Sequence, residues 1–225
     1  MADKYQIHEY IKTGKFQLAE QAINENPSLN LIADDDGRYP IHWACSMNQL
    51  PLVKTLAFKK NIDVDELLDH SGWTALHIAA SVGNSDVVDV LMACEPTPDV
   101  NLKTGQGTTA LHLAISKKNL NVVKKLVIEY KCKVNEKDRS GYTPLIRASS
   151  IGLGSVVRLL NDHKVNVNST DRYGWTALHH AAAEGHGDVA KLLVELGANI
   201  NAKNDENQSA SDVCVDEKVR TFIFG

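Results

Sequence analysis

The sequence predicts an all-α fold, a solenoid of about seven helix-turn-helix units with short β-hairpin fingers, and three observations lead to this class. A finger-like segment with a glycine, followed by a run close to Thr-Ala-Leu-His, occurs five times. Apolar residues at helical spacing follow these segments. The marker glycines are 35, 35, 34 and 33 residues apart, and a fixed period of this kind is typical of stacked repeats. They are Gly37, Gly72, Gly107, Gly141 and Gly174.

Each repeat is expected to open with a tight finger and a first helix. Glycine adopts the positive φ that the finger turn requires. Pro40 and Pro144 suit the first turn of a helix, because no N–H is needed there. In four repeats a threonine precedes the helix, where its side chain can cap free N–H groups. These threonines are Thr74, Thr109, Thr143 and Thr176.

A second helix and a stop signal complete the repeat. Val87, Val88 and Leu91 show the apolar spacing of one helix face, and the other repeats carry similar sets. Gly197 and the Asn-Ile-Asn sequence close behind it resemble a helix end that leads into the next finger.

The two ends of the chain lack the full pattern. No finger glycine occurs before residue 34 at a matching position, and Asn207 replaces it in the last unit. Terminal repeats have a neighbour on one side only, so atypical caps are expected there. We predict a single domain over 1–225, with an N-terminal capping repeat at 1–33, five regular repeats at 34–203 and a C-terminal capping repeat at 204–225.

Composition excludes several classes of protein. The net charge is −4, from 24 basic and 28 acidic residues, whereas nucleic-acid-binding domains are usually strongly basic. No apolar run reaches the ~18 residues of a membrane span, and the first residues lack a signal-peptide core. The four scattered cysteines predict reduced thiols. We therefore expect a monomeric protein of the cytoplasm and nucleus that binds neither nucleic acid nor membranes.

The recurring histidines are expected to be structural. They stand a whole repeat apart, too far to share a metal ion, and buried imidazoles that link adjacent segments by hydrogen bonds explain them. They are His42, His77, His112 and His179. The sequence also lacks phosphate-loop, nucleophile-elbow and zinc-protease motifs. We predict no enzyme, no catalytic residue, no metal and no cofactor.

These segments resemble ankyrin repeats. The run Asp69-His-Ser-Gly-Trp-Thr-Ala-Leu-His-Ile-Ala carries the finger glycine and a core close to the Thr-Pro-Leu-His of that family. The four other segments carry the same glycine and similar cores, such as Tyr-Pro-Ile-His at 39–42 and Thr-Pro-Leu-Ile at 143–146. The resemblance implies an ankyrin-repeat solenoid whose concave face, formed by finger tips and the exposed ends of first helices, binds other proteins. Positions that stay constant between repeats serve the scaffold, so the variable positions are candidates for partner contact.

The residue after the finger glycine is one such variable position. It holds Trp73, Tyr142 and Trp175, and aromatic residues contribute strongly to interface energies. An alternative interpretation is that these rings only cover the junction between finger and helix.

One further position varies without an explanation in the sequence. Ile78 and Leu113 make it apolar in two repeats, so Trp43 at the same position is predicted to lie mainly in the core. Arg147 and His180 break this apolar pattern, and the sequence offers no reason for them.

Charge is distributed unevenly along the chain. Residues 1–102 carry a net charge of −8, residues 103–139 carry +6, and residues 140–225 carry −2. Because a stack of repeats keeps sequence order in space, we expect an acidic surface, then a basic one, then a mildly acidic one.

Three runs resemble the gankyrin family more closely than the general repeat pattern does. The run Asp36-Gly-Arg-Tyr-Pro-Ile-His-Trp-Ala-Cys-Ser46 is similar to that family's second repeat, and the segment from Asp69 to Gly83 is similar to its third. The run Ala183-Glu-Gly-His-Gly-Asp188 is similar to the sixth repeat of the fungal relatives. The resemblance implies a chaperone of 26S proteasome assembly. Such a chaperone holds the C-terminal domain of one base ATPase subunit of the regulatory particle on its concave face.

The predicted partner-binding residues come from this resemblance and from the variable positions. The resemblance implies charged contacts at Asp34, Asp36, Arg38, Asp69, Lys117 and Glu184. The variable positions add Ser71, Trp73, Arg139, Tyr142, Arg172, Tyr173 and Trp175. A different ankyrin adaptor, for example a kinase-inhibiting or transcriptional regulator, is the alternative function.

Overall fold

The computed structural model describes residues 6–59 and 62–224, and the regular structure in these ranges is helical. Thirteen α-helices are present in the described part, with a single isolated antiparallel bridge between Thr170 and Thr176. The all-α prediction is therefore confirmed. The helices group into two compact units, Met1–Ala110 and Leu111–Gly225. The predicted single domain and its repeat boundaries stay predictions.

The first unit consists mainly of helix pairs. A 3₁₀-helix at Pro27–Leu31 follows the first pair. The helices are α1 (Gln6–Lys12), α2 (Phe16–Glu25), α3 (Pro40–Ser46), α4 (Leu50–Ala57), α5 (Ala75–Val82) and α6 (Ser85–Met92).

The boundary between the units falls at the start of α7 (Ala110–Ser116). Helix α8 (Leu120–Lys124) continues as a π-helical turn over Lys125–Glu129. The remaining helices of the second unit are α9 (Pro144–Ser150), α10 (Gly154–Asp162), α11 (Ala177–Ala183), α12 (Gly187–Glu195) and α13 (Glu217–Phe224).

Each unit has its own apolar core between the helix pairs. Ile41, Leu56 and Leu91 are fully buried in the first unit, as are Leu145 and Leu160 in the second. Burying one such side chain contributes roughly 1.5–3 kcal/mol. Small buried residues such as the alanines of α5 and α11 let neighbouring helices approach closely.

The finger turns form as the marker glycines predict. All five glycines have φ between 74° and 80°, and in the finger of Gly72 its N–H donates to the carbonyl of Asp69 over 2.8 Å. Successive fingers are also joined, as where Gly105 N–H donates to the carbonyl of Ser71 over 2.8 Å. Asn207, which takes the glycine position in the last unit, also has a positive φ of 60°. The backbone requirement therefore extends into the C-terminal segment.

The helix starts follow the predicted capping chemistry where the structure describes it. Thr74, Thr143 and Thr176 each accept a hydrogen bond from the backbone N–H three residues on. Pro40 and Pro144 stand at the first position of α3 and α9.

The histidines link each repeat to the next segment of chain. Nε2–H of His42 donates to the carbonyl of Leu67 over 2.9 Å, and the other three members make equivalent bonds. These run from His77 to Leu102 (3.0 Å), His112 to Tyr142 (3.0 Å) and His179 to Gln208 (3.1 Å). Burial lowers the pKa of His42 to about 4. The structural role predicted for these side chains is thus present.

His8 is a fifth member of this set, outside the four predicted from the sequence. It lies in α1, is 2% exposed, and its Nε2–H donates to the carbonyl of Arg38 over 3.1 Å. Its spacing of 34 residues from His42 matches the repeat period and was the available signal. The absence of a finger glycine before α1 concealed this relation.

All four cysteines are buried free thiols. Burial raises the pKa of Cys94 to about 11 and that of Cys132 to about 12, so these thiols stay protonated at neutral pH.

Within 6–59 and 62–224, no helix has the length and apolar character needed to cross a membrane.

Candidate protein-binding surface

The predicted partner-binding residues lie at finger tips and at the ends of first helices, in both units. Seven of them are exposed: Asp36, Ser71, Lys117, Arg139, Arg172, Tyr173 and Glu184. Five are half-buried, and Asp69 is buried: the half-buried ones are Asp34, Arg38, Trp73, Tyr142 and Trp175. The structure therefore separates side chains that are open to a partner from side chains that also serve the scaffold.

The aspartate that opens four of the fingers is a scaffold residue. Oδ1 of Asp34 accepts the backbone N–H groups of Asp36 and Arg38 over 3.1 and 2.9 Å. Asp69, Asp138 and Asp171 repeat this geometry, each accepting two backbone N–H groups. Such bonds fix the finger turn, because the carboxylate replaces water at two backbone donors.

In three of these aspartates the second carboxylate oxygen lies against a side-chain donor nine residues further along the chain. Oδ2 of Asp34 accepts the indole N–H of Trp43 over 2.9 Å. Asp138 accepts from Nη2 of Arg147 over 2.9 Å, and Asp171 lies 2.9 Å from Nε2 of His180. This arrangement explains Arg147 and His180, for which the sequence offered no reason.

The expectation that Trp43 lies mainly in the core is wrong. Its side chain is half-buried, with its N–H on Asp34 and two cations over its ring. The Lys12 ammonium and the Arg38 guanidinium lie 4.3 and 5.1 Å from the ring centroid. An indole has one N–H donor, so Trp43 resembles Arg147 and His180 more than it resembles Ile78.

The hydrogen bonds that Asp34 accepts lower the pKa of its carboxyl group. Burial raises the pKa of Asp34, but hydrogen bonds from Trp43, Lys12 and the finger backbone outweigh that effect, so the pKa lies below its usual range. Asp34 is therefore ionised and held in place at neutral pH.

Where the first residue of the finger is neutral, the residue nine positions further on is apolar. Thr104 and Asn204 take the place of the aspartate, and the residues nine further on are Leu113 and Val213. Asp69 has Ile78 at that spacing, and its Oδ2 instead lies 3.7 Å from Nε of Arg38 in the preceding finger. Three of the four finger aspartates therefore have a side-chain donor nine residues further on, and the fourth uses an arginine of the preceding finger.

A cavity of about 530 Å³ opens within the second unit beside the finger of Gly174, which is called the sixth finger because it opens the sixth of the seven predicted repeats. It brings together four predicted site residues and five others. The predicted residues are Tyr142, Tyr173, Trp175 and Glu184, and the others are Asp171, His180, Ala183, Asp205 and Glu206. Asp205 and Glu206 were not among the predicted residues, because their finger belongs to the C-terminal capping segment, although they occupy the variable tip positions.

Aromatic rings pack against one another beside this cavity. The His180 ring lies 5.2 Å from the ring of Trp175 and 5.0 Å from that of Tyr142, between centroids. Trp175 also contacts His179 at 5.9 Å. In the first unit Trp73 lies 6.3 Å from His77. Both tryptophans therefore cover the finger–helix junction and remain partly open to solvent.

Main-chain bonds hold the fingers of the second unit in register. The N–H of Arg172 donates to Ser140 and that of Asp205 donates to Tyr173, each over 3.1 Å. The Arg172 guanidinium also donates to the carbonyl of Arg139.

No group of three or more His, Cys, Asp or Glu side chains suited to a metal ion occurs in the described ranges.

Comparison with known proteins supports the repeat assignment. A family model described as ankyrin repeats in three copies matches residues 58–138 and 111–204, and a single-repeat model matches residues 36–66. The crystal structure of the ankyrin repeat domain of Bcl-3, a member of the IkappaB protein family, superposes with a TM-score of 0.82 at 27% identity and covers 97% of each chain. These matches confirm the predicted ankyrin-type solenoid class.

A shorter match exists to a protein of the fission yeast Schizosaccharomyces pombe. That ankyrin repeat-containing protein is 45% identical over 51 residues, which is 22% of this chain. The match spans 21% of the length of that relative, so it concerns the repeats and not the whole relative.

Proposed function

Since this chain belongs to the ankyrin repeat family, whose members are typically non-catalytic protein-binding scaffolds, we propose that it is an assembly chaperone. In this proposal it binds the C-terminal domain of a base ATPase subunit of the 26S proteasome regulatory particle. The surface would cover that domain during assembly, and the chain would need no cofactor or catalytic residue for this task.

The proposal that the fingers bind protein rests on one observation: some finger residues make internal hydrogen bonds, and others are exposed and free to contact a partner. Constant positions are occupied by internal bonds, such as those of Asp34 and Asp171. Variable positions expose charged and aromatic side chains, such as Asp36, Tyr173 and Glu184. A scaffold with a partner-specific surface requires this separation.

The choice of an ATPase domain rests on the three sequence runs that resemble the gankyrin family. Structure adds that Asp36 and Glu184, two of the residues implied by that resemblance, are exposed. Asp34 and Asp69 have internal partners, so we expect them to position the fingers and to contribute less to a partner than Asp36 does.

Charge reversal tests this proposal. The double variant Asp36→Lys/Glu184→Lys should lose at least tenfold in affinity for purified ATPase C-terminal domains, measured by titration calorimetry at low and high salt. Rim charges contribute little singly, but two reversals place repulsion where attraction existed. Binding by the unchanged protein should weaken as salt rises.

A matched control has the same change in net charge. Glu66→Lys/Glu195→Lys alters two exposed glutamates outside the predicted set. Equal loss of binding in both double variants would show that net charge, not the finger surface, decides affinity. Failure of every base ATPase domain to bind, together with capture of another partner from cell extract, would favour the alternative ankyrin adaptor.

The proposal also includes the cellular setting. We propose that the protein is a monomer before it meets its partner and occupies the cytoplasm and nucleus. Its four buried free thiols fit a reducing compartment. Fluorescence microscopy of the tagged chain and light scattering of the purified protein test the two statements.

A further inference from the structure

The cavity beside the sixth finger combines aromatic walls with an acidic rim. Tyr142, Tyr173 and Trp175 supply the rings, and Glu184, Asp205 and Glu206 supply carboxylates. All three carboxylate residues are exposed, and Tyr173 is 62% exposed. The lining contains no lysine or arginine in the part of the chain that the structure describes. Such a site attracts a cation, because ring faces and carboxylates are both negative.

The same protein shows what this combination holds elsewhere. In the fifth repeat the Arg147 guanidinium lies 4.8 Å from the ring centroid of Tyr142 and donates to Asp138 over 2.9 Å. In the second repeat the Arg38 guanidinium lies 5.1 Å from the ring centroid of Trp43. Its Nε is 3.7 Å from Asp69. Twice, therefore, an aromatic ring and a finger carboxylate hold an arginine of this chain.

The sixth repeat has the ring and the carboxylates but a different internal donor. His180 takes the place of an arginine and bonds to Asp171. Its smaller ring reaches Asp171 and packs on Trp175 and Tyr142. Glu184, Asp205 and Glu206 form no ion pair with a basic side chain among residues 6–59 and 62–224. The cavity remains open beside them.

We propose that this cavity binds an arginine side chain of a protein partner. A planar guanidinium stacks on aromatic faces and directs five N–H donors toward several carboxylates at once. A lysine ammonium is a compact, strongly hydrated charge and gains less from the rings. The inference rests on the proposed function only in that a bound protein supplies the arginine, because the chemistry of the cavity is independent of the partner's identity.

Short peptides test the cavity directly. The probe is acetyl-Gly-Gly-Arg-Gly-Gly-amide, with citrulline and lysine versions as neutral and ammonium comparisons. Indole N–H resonances in a ¹H–¹⁵N spectrum report separately on Trp43, Trp73 and Trp175. We expect the arginine peptide to shift the Trp175 signal saturably, the lysine peptide to bind several-fold more weakly, and the citrulline peptide to leave the signal unchanged.

Other outcomes overturn the inference. An equal effect of the citrulline peptide would show that charge is not read, and equal binding of lysine would show that the guanidinium is not selected. A shift confined to Trp43 or Trp73 would place the site elsewhere.

Two variants connect the effect to the cavity. Tyr173→Ala removes an exposed wall and Glu184→Gln removes one charge, and each should weaken arginine-peptide binding at least threefold. Glu195→Gln, on an exposed position of α12 outside the lining, is the matched control and should bind as the unchanged protein does. Circular dichroism verifies that each variant is folded. Unchanged binding in both cavity variants would refute the assignment.

The two proposals fail in different ways. If the arginine peptide binds at Trp175 but no ATPase domain does, the cavity is correct and the assigned partner is wrong. If an ATPase domain binds while the peptide does not, and Tyr173→Ala leaves the ATPase affinity unchanged, the cavity inference fails and the proposed function stands.

Discussion

The pairing of Asp138 with Arg147 yields a quantitative prediction about stability. Arg147 Nη2 donates to Asp138 Oδ2 over 2.9 Å, and the two side chains are 30% and 7% exposed. Replacing the arginine, Arg147→Leu, leaves a largely buried carboxylate oxygen without its donor. A buried polar group without a partner costs about 1–3 kcal/mol, so we expect Arg147→Leu to lower the free energy of unfolding by that amount.

The fourth repeat supplies the compensating change. There Thr104 replaces the aspartate and Leu113 replaces the arginine. Oγ1 of Thr104 still accepts the finger N–H groups of Gln106 and Thr108 over 3.3 and 3.2 Å. The double variant Asp138→Thr/Arg147→Leu copies this arrangement. It should lose about 1–2 kcal/mol less than the two single variants lose together, since no charge remains to be satisfied.

Urea unfolding followed by circular dichroism measures these differences. The control Arg158→Leu changes an exposed arginine on α10 and should alter stability by less than about 0.5 kcal/mol. Strict additivity of the two single changes, or an Arg147→Leu effect no larger than that of the control, would refute the role assigned to the nine-residue pairing.

The remaining predictions concern the turns and the buried histidines. A Cβ at Gly141 would lie 2.7 Å from the backbone N of Arg172, whereas a Cβ at Gly185 would meet nothing within 4 Å. Both glycines have positive φ, so thermal denaturation should show Gly141→Ala losing more stability than Gly185→Ala, which should cost about 1 kcal/mol; equal losses would exclude the finger contact. Because Asn207 has a φ of 60°, Asn207→Gly should leave stability within about 1 kcal/mol of the starting value, and a larger loss would argue against a finger turn there. The pKa of His42 falls from 6.5 to about 4 on folding, so the unfolded chain binds a proton that the folded chain does not between these pH values. The stability present above pH 6.5 should therefore decline by about 3 kcal/mol as pH falls to 4, and urea midpoints that stay flat over this range would contradict the burial of a neutral His42 ring.

Several features of the candidate binding surface can be predicted from the sequence. The exposed tips at Asp36 and Tyr173 follow from counting forward from the finger aspartate. The nine-residue spacing between Asp171 and His180 was also present, but its meaning required knowing that the finger turn leaves one carboxylate oxygen free. Trp43 was predicted to be a core residue because Ile78 and Leu113 occupy the same repeat position. That prediction assumed that one repeat position has the same surroundings in every repeat, which the structure shows to be untrue here.

The sequence by itself determined the repeat, the glycines at positive φ, the helix caps and the histidines that link segments, because each depends on backbone geometry within about one period. Only the tertiary structure decided which oxygen of each aspartate had a donor and whether a ring stayed open. The cavity beside the sixth finger takes its rings from two fingers and its acidic rim partly from a third, Asp205 and Glu206. No single repeat contains this cavity, because side chains from three fingers meet there only when the repeats are stacked. In the sixth repeat a histidine, His180, also takes the place of the arginine that fills the equivalent site of the fifth repeat.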